Sequence, residues 1–393
     1  MQRIVTNQSP SQREDVAVYD AIVVGARVAG APTAMLLAQK GYRVLLVDRD
    51  EFPSDIMSTH FIHLPGIVRL KNWGLLDKLL ATGCPPITKS TMHFGDAFFS
   101  PPKLSDMIPG LPEATVCPRR VILDQILVDA AIEAGAKFRP KVSVQGLIWD
   151  DDRVIGIRGQ SNGKPVEERA RIVIGADGLH SRVAREVKPA EYNVVASLTF
   201  AYYAYWSGID LEGMNFYFFE DLGILAFPTH WNQLCLGVGG PRETFVEFRK
   251  DIAGNYMKLI DRVPALAAQV RAGKQEQRFM GTADQPNYFR KPYGPGWALV
   301  GDAGYHRDFI TGLGINDAFR DAELVAKAAD EGLSGTRAMD DAMAAYESKR
   351  NDLAMPLYEI TLKMASGQLT DPAEFLTFGP AIARNLPAPL GAA

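Results

Sequence analysis

The sequence has few cysteines and no long apolar run without charges. Its three cysteines, Cys84, Cys117 and Cys235, are far apart in the chain and lack the CxxC spacing of zinc sites and redox motifs. We therefore predict buried, reduced thiols in a cytoplasmic protein rather than a disulfide framework. No apolar run reaches the roughly eighteen residues that predict a transmembrane helix. The polar residues 1–17 lack the apolar core of a signal peptide and are predicted to form a flexible tail.

Neither sign of charge dominates the chain. It contains 42 Lys and Arg residues against 46 Asp and Glu residues, which gives a formal net charge of -4. A nucleic-acid partner is not expected, because such a partner requires a basic surface. With 393 residues, of which 47% are hydrophobic and 22% charged, the chain has the composition of a folded protein with large cores. Its length favours two domains.

The first part of the chain predicts a dinucleotide-binding βαβ unit. An apolar, β-branched run over 19–24 is followed by a glycine turn, a predicted helix over 31–40 and a second buried strand over 43–47. Gly25 and Gly30 stand at the first and last glycine of a GxGxxG motif. In such a motif the turn and the helix N-terminus face a pyrophosphate, so the segment predicts a nucleotide site.

Three charged residues bear on which nucleotide this site would bind. Asp48 ends the second strand, where a carboxylate binds the ribose hydroxyls of FAD or NAD. Arg49 follows it directly and weakens the argument against an NADP phosphate. Arg27 replaces the middle glycine of the motif, so either the turn is wider or the arginine side chain contacts the phosphates.

Buried strands of one type recur at the start, middle and late part of the chain, and an aromatic, β-forming region over 197–240 lies between them. Helical regions are predicted over 64–82, 121–134, 245–272, 317–331 and 338–351. This order predicts the α/β fold class (α+β overall), with a Rossmann-type domain of discontinuous segments, an interleaved antiparallel-sheet substrate domain and C-terminal helices. The predicted Rossmann-type domain comprises 18–86, 115–190 and 290–350, the substrate domain 87–114 and 191–289, and the C-terminal helical segment 351–393.

Two later motifs complete a pattern with the first turn. One is Gly175-Ala176-Asp177-Gly178, directly after a buried strand, and the other is Gly301-Asp302-Ala303-Gly304, followed by Gly312-Leu313-Gly314-Ile315-Asn316. In this order the three motifs resemble those of FAD-dependent monooxygenases of the para-hydroxybenzoate hydroxylase fold, the single-component aromatic hydroxylases. The resemblance covers roughly residues 18–350.

The resemblance implies FAD as the cofactor and assigns roles to the motif residues. Asp177 and Gly178 match the residues that shape the cofactor channel. Asp302 matches the carboxylate that binds the ribityl chain, and the loop over 312–316 matches the one that holds the flavin ring near a positive helix end. The candidate cofactor-binding residues are Gly25, Arg27, Val28, Gly30, Asp48, Arg49, Arg120, Asp177, Gly178, Gly301, Asp302, Gly312, Leu313, Gly314, Ile315 and Asn316.

Two further positions bear on this resemblance. Arg120, or alternatively Arg119, resembles the helix arginine that lies near the FAD phosphates. Phe309 lies where the related proteins commonly have a proline that contacts the substrate and the flavin edge. We expect this phenylalanine to change the shape of the substrate pocket.

Four residues are candidates for the reaction itself. His60, after the second strand, and His306, after the third motif, are placed to act as a general base or hydrogen-bond donor beside the flavin. Tyr203 and Tyr205 share one face of a predicted strand whose other face carries further aromatic side chains. The sequence pattern leaves open which of these faces points towards the substrate.

The resemblance implies a monooxygenase that uses NAD(P)H and O2 and acts through a flavin C4a-hydroperoxide on an aromatic or other electron-rich small molecule. The chain has no second nucleotide fingerprint, so NAD(P)H would bind transiently or a separate flavin reductase would deliver electrons. The alternatives are an FAD-dependent alkene reductase of the geranylgeranyl-reductase type and a non-catalytic flavoprotein. The expected partner is a small apolar or aromatic substrate, and the oligomeric state is left open between monomer and dimer.

Overall fold

A computed structural model describes residues 19–58, 60–220, 223–368 and 377–387 of the protein. The predicted tail, residues 1–17, lies outside the described residues. Within the described residues, no helix combines the length and the apolar character needed to cross a bilayer. Cys84, Cys117 and Cys235 are free and buried.

Helices and strands alternate along most of the chain. The helices are α1 Gly30–Gln39, α2 Leu64–Asn72, α3 Leu76–Leu80, α4 Leu104–Met107, α5 Arg120–Glu133, α6 Arg182–Val187, α7 Phe245–Phe248, α8 Ile252–Ile260, α9 Pro264–Ala272, α10 Gly314–Ser334, α11 Met339–Ala365 and α12 Phe378–Ala383. The strands are β1 Tyr19–Val24, β2 Val44–Val47, β3 Pro86–Ile87, β4 Ser90–Phe94, β5 Ala97–Phe99, β6 Thr115–Val116, β7 Lys137–Arg139, β8 Val142–Asp150, β9 Arg153–Ser161, β10 Lys164–Gly175, β11 Glu191–Val195, β12 Thr199–Ser207, β13 Met214–Phe218, β14 Gly223–Thr229, β15 Gln233–Pro241, β16 Lys274–Gln275, β17 Met280–Thr282, β18 Asn287–Arg290, β19 Tyr293–Gly294, β20 Trp297–Leu299 and β21 Tyr305–His306.

A mainly parallel sheet forms the first layer, with the strand order β19-β20-β10-β1-β2-β7. Strands β20, β10, β1, β2 and β7 run parallel to one another. Alternate residues of β1 enter two cores: Ala21 and Val23 pack with α1, α5 and α10, whereas Ile22 and Val24 pack with α6 and the β8–β9 hairpin. Both faces are therefore covered, which explains why the parallel strands are continuous apolar runs in the sequence.

An antiparallel sheet forms the second unit, with the order β16-β12-β15-β14-β13-β4-β5 and β17 also paired with β12. Strand β4 joins this sheet by a parallel pairing with β13. Tyr202 and Trp206 lie on the face that packs against α8 and α9. Tyr203 and Tyr205 lie on the opposite face, in a core with Phe61. The two faces of β12 are thus distinguished, but which of them faces a substrate stays a prediction.

The predicted α/β architecture is confirmed, and the structure adds detail to two of the predicted helical regions. The helical region predicted over 64–82 is two helices, because Gly74 takes a positive φ of 72° and turns the chain between them. The predicted boundary at 350/351 falls inside α11, which continues through Pro356. Packing explains this continuity, because Ala354 and Tyr358 are buried in one apolar cluster and this offsets the local cost of the proline.

Candidate functional site

The first glycine motif packs against the second at the edge of the parallel sheet. Gly25 has a φ of 102°, and a Cβ there would stand 2.4 Å from the carbonyl oxygen of Ala176. A Cβ at Gly30 would stand 1.7 Å from the carbonyl oxygen of Gly25. Both positions therefore require glycine, and the N-terminus of α1 comes close to the end of β10.

The third motif meets the first at the same edge. Gly301 takes a φ of 59°, and a Cβ there would stand 2.8 Å from the Cβ of Ala29. The three motifs are separated by more than a hundred residues each, yet they converge where the parallel strands end. This edge is where α/β sheets bind their ligands.

The Asp48 carboxylate is hydrogen-bonded to the backbone of the first glycine turn. Its Oδ2 accepts a hydrogen bond of 2.7 Å from the backbone N–H of Ala26, and its Oδ1 accepts one of 2.8 Å from that of Asp50. A carboxylate has about four acceptor positions, so further positions stay open for ribose hydroxyls. Burial raises the pKa of Asp48, and the two backbone hydrogen bonds oppose that rise.

The side chain of Arg27 is hydrogen-bonded to protein groups outside the turn. Its Nη1 donates to Asp124 at 2.8 Å, and its Nη2 donates to Asp50 at 3.0 Å and to the hydroxyl of Ser54 at 2.9 Å. The guanidinium also lies over the ring of Phe52. Arg27 thus ties the turn to α5 and to the loop after β2, and its donors are directed to carboxylates rather than to a phosphate site.

Arg120 shares the same buried carboxylate. Its Nε and Nη2 donate to the two oxygens of Asp124 at 2.9 and 3.0 Å, and Asp124 is completely buried. Within the described residues, Nη1 of Arg120 makes no hydrogen bond, so one donor is available to a cofactor phosphate. Arg119, the alternative, lies elsewhere: its guanidinium carbon stands 3.5 Å from the centre of the Tyr205 ring. Arg49 is exposed.

Three protein donors occupy the Asp177 carboxylate. It accepts hydrogen bonds from the hydroxyl of Ser181 and from the backbone N–H groups of Arg182 and Val183 at 2.6 and 3.2 Å. These groups belong to the start of α6, whose N-cap residue is Ser181, so Asp177 stabilises this helix by accepting two of its free N–H groups. Gly178 next to it has a φ of 74°, and no heavy atom lies within 4 Å of the place that a Cβ would take there.

Asp302 has the opposite environment. It lies in the 3-10 turn Gly301–Ala303 and is partly buried, and no protein donor within the described part of the chain bonds its carboxylate. The hydroxyl of Tyr288 donates to its backbone carbonyl at 2.6 Å, which fixes the turn. Burial raises the pKa of Asp302, and nearby His306 opposes this. A desolvated carboxylate without a protein partner fits a ligand with hydroxyl groups.

The loop after Asp302 leaves space in front of a long helix. Gly312 has a φ of 63°, and α10 begins at Gly314, where no heavy atom lies within 4 Å of the place of a Cβ. Asn316 accepts a hydrogen bond from the N–H of Gly66 at 2.8 Å, but its buried Nδ2 has no partner in the described residues. Leu313 and Ile315 are buried beside it. Open space, an unused donor and a positive helix end fit the polar edge of a flavin ring.

A cavity of about 440 Å³ lies between this loop and the antiparallel sheet. Its walls are mainly apolar. The loop contributes Phe309 and Ile310, and the sheet contributes Phe216 and Leu225. Its far end reaches α11 and α12 and the segment over 99–105. The loop residues that line the cavity directly precede Gly312, the first residue of the predicted flavin-binding loop.

Three of the four predicted catalytic residues lie together behind this cavity. The hydroxyl of Tyr205 is hydrogen-bonded to Nε2 of His60, and the ring of Tyr203 meets the His60 ring edge-on at 5.9 Å. His60 is completely buried and has a φ of 60°, which is rare outside glycine. Burial lowers its pKa well below the usual value, so the ring is neutral. Its Nδ1 has no partner within the described residues.

His306 does not join this group. Its Nδ1 donates to the carbonyl of Pro286, and its ring stacks on Tyr288 with the ring centres 5.9 Å apart. The ring is buried beside the turn that carries Asp302. The structure therefore brings His60, Tyr203 and Tyr205 together and places His306 beside the predicted ribityl position.

Two residues that sequence reasoning missed hold the loop at the base of the cavity. His63 lines the cavity, and its Nε2 donates to the carbonyl of Thr311 at 2.9 Å. Burial lowers the pKa of His63 to about 4. Asp308 is buried and accepts hydrogen bonds from the hydroxyl of Thr199 at 2.6 Å and from the N–H of Ile310 at 3.1 Å. No local pattern marks either residue, because the partners that place them in the site lie far away in the sequence.

Comparison with known proteins supports the cofactor prediction. The family model for the FAD binding domain matches residues 18–205. A curated digeranylgeranylglycerophospholipid reductase of Methanosarcina acetivorans is 28% identical over 350 residues, which is 84% of this chain and 80% of the relative. A protein of the same name from Methanosarcina mazei is 29% identical over 350 residues, or 85% of this chain and 81% of the relative.

Solved structures confirm the fold. The myxobacterial chondrochloren halogenase CndH aligns with a TM-score of 0.80 at 21% identity, over 94% of this chain and 91% of that protein. PqsL, described as a probable FAD-dependent monooxygenase from Pseudomonas aeruginosa, aligns with a TM-score of 0.76 at 19% identity, over 93% of this chain and 100% of that protein. At this identity the similarity is one of fold, not of reaction.

The predicted monooxygenase function is wrong. The relatives that align over most of the chain are named reductases, which is the alternative weighed beside it. The motifs that carried the resemblance hold the cofactor, and they do not distinguish reactions that share it. What the fold, the family model and the relatives agree on is that the chain is an FAD-dependent oxidoreductase of the para-hydroxybenzoate hydroxylase fold.

Proposed function

We propose that the protein is an FAD-dependent reductase that saturates carbon–carbon double bonds in an isoprenoid chain. The observation that carries this proposal is the alignment over 84% of the chain with a curated digeranylgeranylglycerophospholipid reductase. The apolar cavity beside the predicted flavin loop supports it independently, because a reductase of this kind must bury a hydrocarbon chain next to the cofactor.

The cavity suits a hydrocarbon chain. A volume of about 440 Å³ is within the usual range of ligand pockets. Burial of apolar surface contributes about 0.8 kcal/mol per methylene, so one five-carbon unit contributes about 4 kcal/mol before the costs of ordering the chain. Phe61, Phe216 and Phe309 offer apolar contacts along the walls. Phe309, at the position of the family's proline, would press on the part of the chain nearest to the cofactor.

The reaction adds one hydride and one proton across the double bond. FAD, when bound and reduced, supplies the hydride. NAD(P)H, bound transiently or through a separate reductase, is the proposed source of the electrons, and oxygen takes no part. The residues of the cavity exclude water, which protects the reduced cofactor and the substrate carbon from side reactions.

We assign the proton to the Tyr205–His60 pair. Burial raises the pKa of Tyr205, so its phenol is protonated at neutral pH, and the Arg119 cation against its ring opposes that rise and stabilises the phenolate left after transfer. Tyr205 packs in the same cluster as Phe61 and Met214, which line the cavity. Neither residue of the pair lines the cavity, so its proton can reach the substrate only through the wall at Phe61 and Met214, by movement of these side chains or along one bound water. The free Nδ1 of His60, which has no partner in the described residues, leaves a polar position for a ligand.

The test is a single-turnover reduction without oxygen. The purified protein is loaded with FAD, reduced with dithionite under nitrogen and mixed with a detergent-dispersed geranylgeranyl lipid. We expect the oxidised flavin spectrum to return and the lipid to gain two hydrogens per double bond, as measured by mass spectrometry. The fully saturated lipid is the matched control and should leave the flavin reduced. A flavin that stays reduced with both lipids would refute the proposal.

A further inference from the structure

One wall of the cavity comes from a segment that also faces solvent. Hairpin β4–β5 and the chain after it, through α4, contribute Phe99, Pro101, Pro102 and Ser105 to the lining. The hairpin is attached to the antiparallel sheet through β13, at the edge of that sheet. This segment, residues 97–107, therefore forms a rim between the substrate cavity and the surface. We call it the cavity rim.

Two large apolar side chains of the cavity rim point away from the protein. Phe98 is 70% exposed and Met107 is 64% exposed. They flank the lining residues on either side, and the prolines between them stiffen the chain. Exposed apolar side chains are common when single, but two of them within ten residues, in a segment that also lines an apolar cavity, favour a binding surface.

The charges of the cavity rim indicate which kind of partner surface it can bind. Between residues 95 and 113 the chain carries Lys103 against Asp96, Asp106 and Glu113, so carboxylates exceed cations. An anionic membrane or nucleic acid attracts basic clusters, and this segment is not one. The charges therefore favour a partner surface without net charge, into which apolar side chains can insert.

We propose that the cavity rim inserts Phe98 and Met107 into a zwitterionic lipid bilayer, so that an isoprenoid chain passes from the bilayer into the cavity without crossing water. The inference rests on the proposed function for the identity of the chain, but the membrane contact is testable without any reaction. An isoprenoid lipid has almost no free concentration in water, so an enzyme that reduces it requires an entry from the membrane. The cavity rim supplies residues both to the cavity lining and to the surface, so it is the part of the chain that could join the two.

The test is flotation of the FAD-loaded protein with phosphatidylcholine vesicles. We expect the wild-type protein to float with the vesicles and the F98S/M107S variant to lose at least about tenfold in partition, because the variant lacks both apolar side chains that would enter the bilayer. The matched control is Val246→Ser on α7, which is equally exposed at 67% but lies outside the cavity lining. This variant should float like the wild type, and added salt should leave flotation unchanged.

A second readout separates this inference from the proposed function. With detergent-dispersed lipid, F98S/M107S should reduce the isoprenoid at the wild-type rate, whereas with vesicle-embedded lipid it should be slower by a similar factor of about ten. Equal flotation of wild type and F98S/M107S would overturn the inference, as would flotation that requires anionic lipid and disappears in salt. Self-association that is lost in F98S/M107S, with no vesicle binding, would overturn it too and assign the rim to a second copy of the chain. Failure to reduce any isoprenoid in detergent would refute the proposed function alone.

Discussion

Two carboxylates of the predicted cofactor site, Asp302 and Asp177, differ in what occupies them, and this difference predicts opposite effects of the same substitution. No protein donor in the described residues bonds Asp302, whereas three donors at the start of α6 bond Asp177. Replacement by alanine removes the carboxylate at either position. Asp302→Ala should therefore damage FAD binding and spare the fold, and Asp177→Ala should do the reverse.

The magnitudes follow from these environments. If the Asp302 carboxylate binds cofactor hydroxyls, loss of one charge-assisted hydrogen bond costs about 1.5–3 kcal/mol, which weakens FAD binding by about 10- to 150-fold. Its pKa is raised in the folded apoprotein, so the ionised form opposes folding above the ordinary pKa of an aspartate. Alanine removes that cost, and the apoprotein should become no less stable at neutral pH. Burial raises the pKa of Asp177 as well, but Asp177→Ala also removes the acceptor of three hydrogen bonds at the start of α6, and this should lower the unfolding free energy by about 0.5–2 kcal/mol.

Two measurements on each variant separate these effects. FAD affinity is measured by titration of apoprotein with FAD, followed by quenching of flavin fluorescence, and stability is measured by urea unfolding of the same apoprotein. The reasoning fails if Asp302→Ala binds FAD as tightly as the wild type. It also fails if Asp302→Ala loses as much unfolding free energy as Asp177→Ala, because the carboxylate would then have a structural partner.

Four further substitutions test other parts of the site. Gly314→Ala enters open space in the apoprotein, so it should keep urea stability and weaken FAD binding in the same titration; unchanged affinity would place the flavin elsewhere. Arg27→Gly restores the glycine motif but removes a hydrogen bond to the buried Asp124, so the unfolding free energy should fall by about 1.5–3 kcal/mol. An increase in unfolding free energy would contradict a stabilising role of this bond. Tyr205→Phe should slow flavin reoxidation by the alkene by about 10²- to 10⁴-fold with FAD affinity unchanged, and a normal rate would exclude the phenol as proton source. Because burial lowers the pKa of His63 from 6.5 to about 4, the neutral ring costs no stability above pH 6.5, and the unfolding free energy falls as pH falls towards 4. His63→Gln should flatten that part of the plot of urea stability against pH, and an unaltered slope would assign it to other groups.

The parts of the fold that the sequence predicted correctly depend on short-range patterns. The buried strand over 19–24, the turn from Gly25 to Gly30 and the acid at Asp48 follow one another within thirty residues, so their periodicity and spacing are visible in the chain. The helix through Pro356 was missed because its stability comes from tertiary packing, which no local window contains. The face of β12 was left open for the same reason.

The details of the site depend on contacts across long sequence separations. The bond from Arg27 to Asp124 spans 97 residues, that from Thr199 to Asp308 spans 109 and that from His63 to Thr311 spans 248. A single sequence carries no signal for such pairs. The sequence therefore left open whether the turn at Arg27 is wider or its side chain contacts the phosphates. Only the fold shows that the guanidinium bonds carboxylates.

The error about the reaction has a related cause. The three motifs lie where the parallel strands end and touch one another at Gly25, Ala176 and Gly301, so they describe a site for FAD. The substrate cavity is built from other parts of the chain, including the antiparallel sheet, the 309–311 loop, the end of α11 and α12, and none of these carries a motif. Because hydroxylation and alkene reduction use the same cofactor, the residues that bind FAD cannot decide between them. What decides the reaction is the substrate that the cavity holds beside the cofactor: a double bond that takes up a hydride and a proton, or an aromatic ring that takes up oxygen.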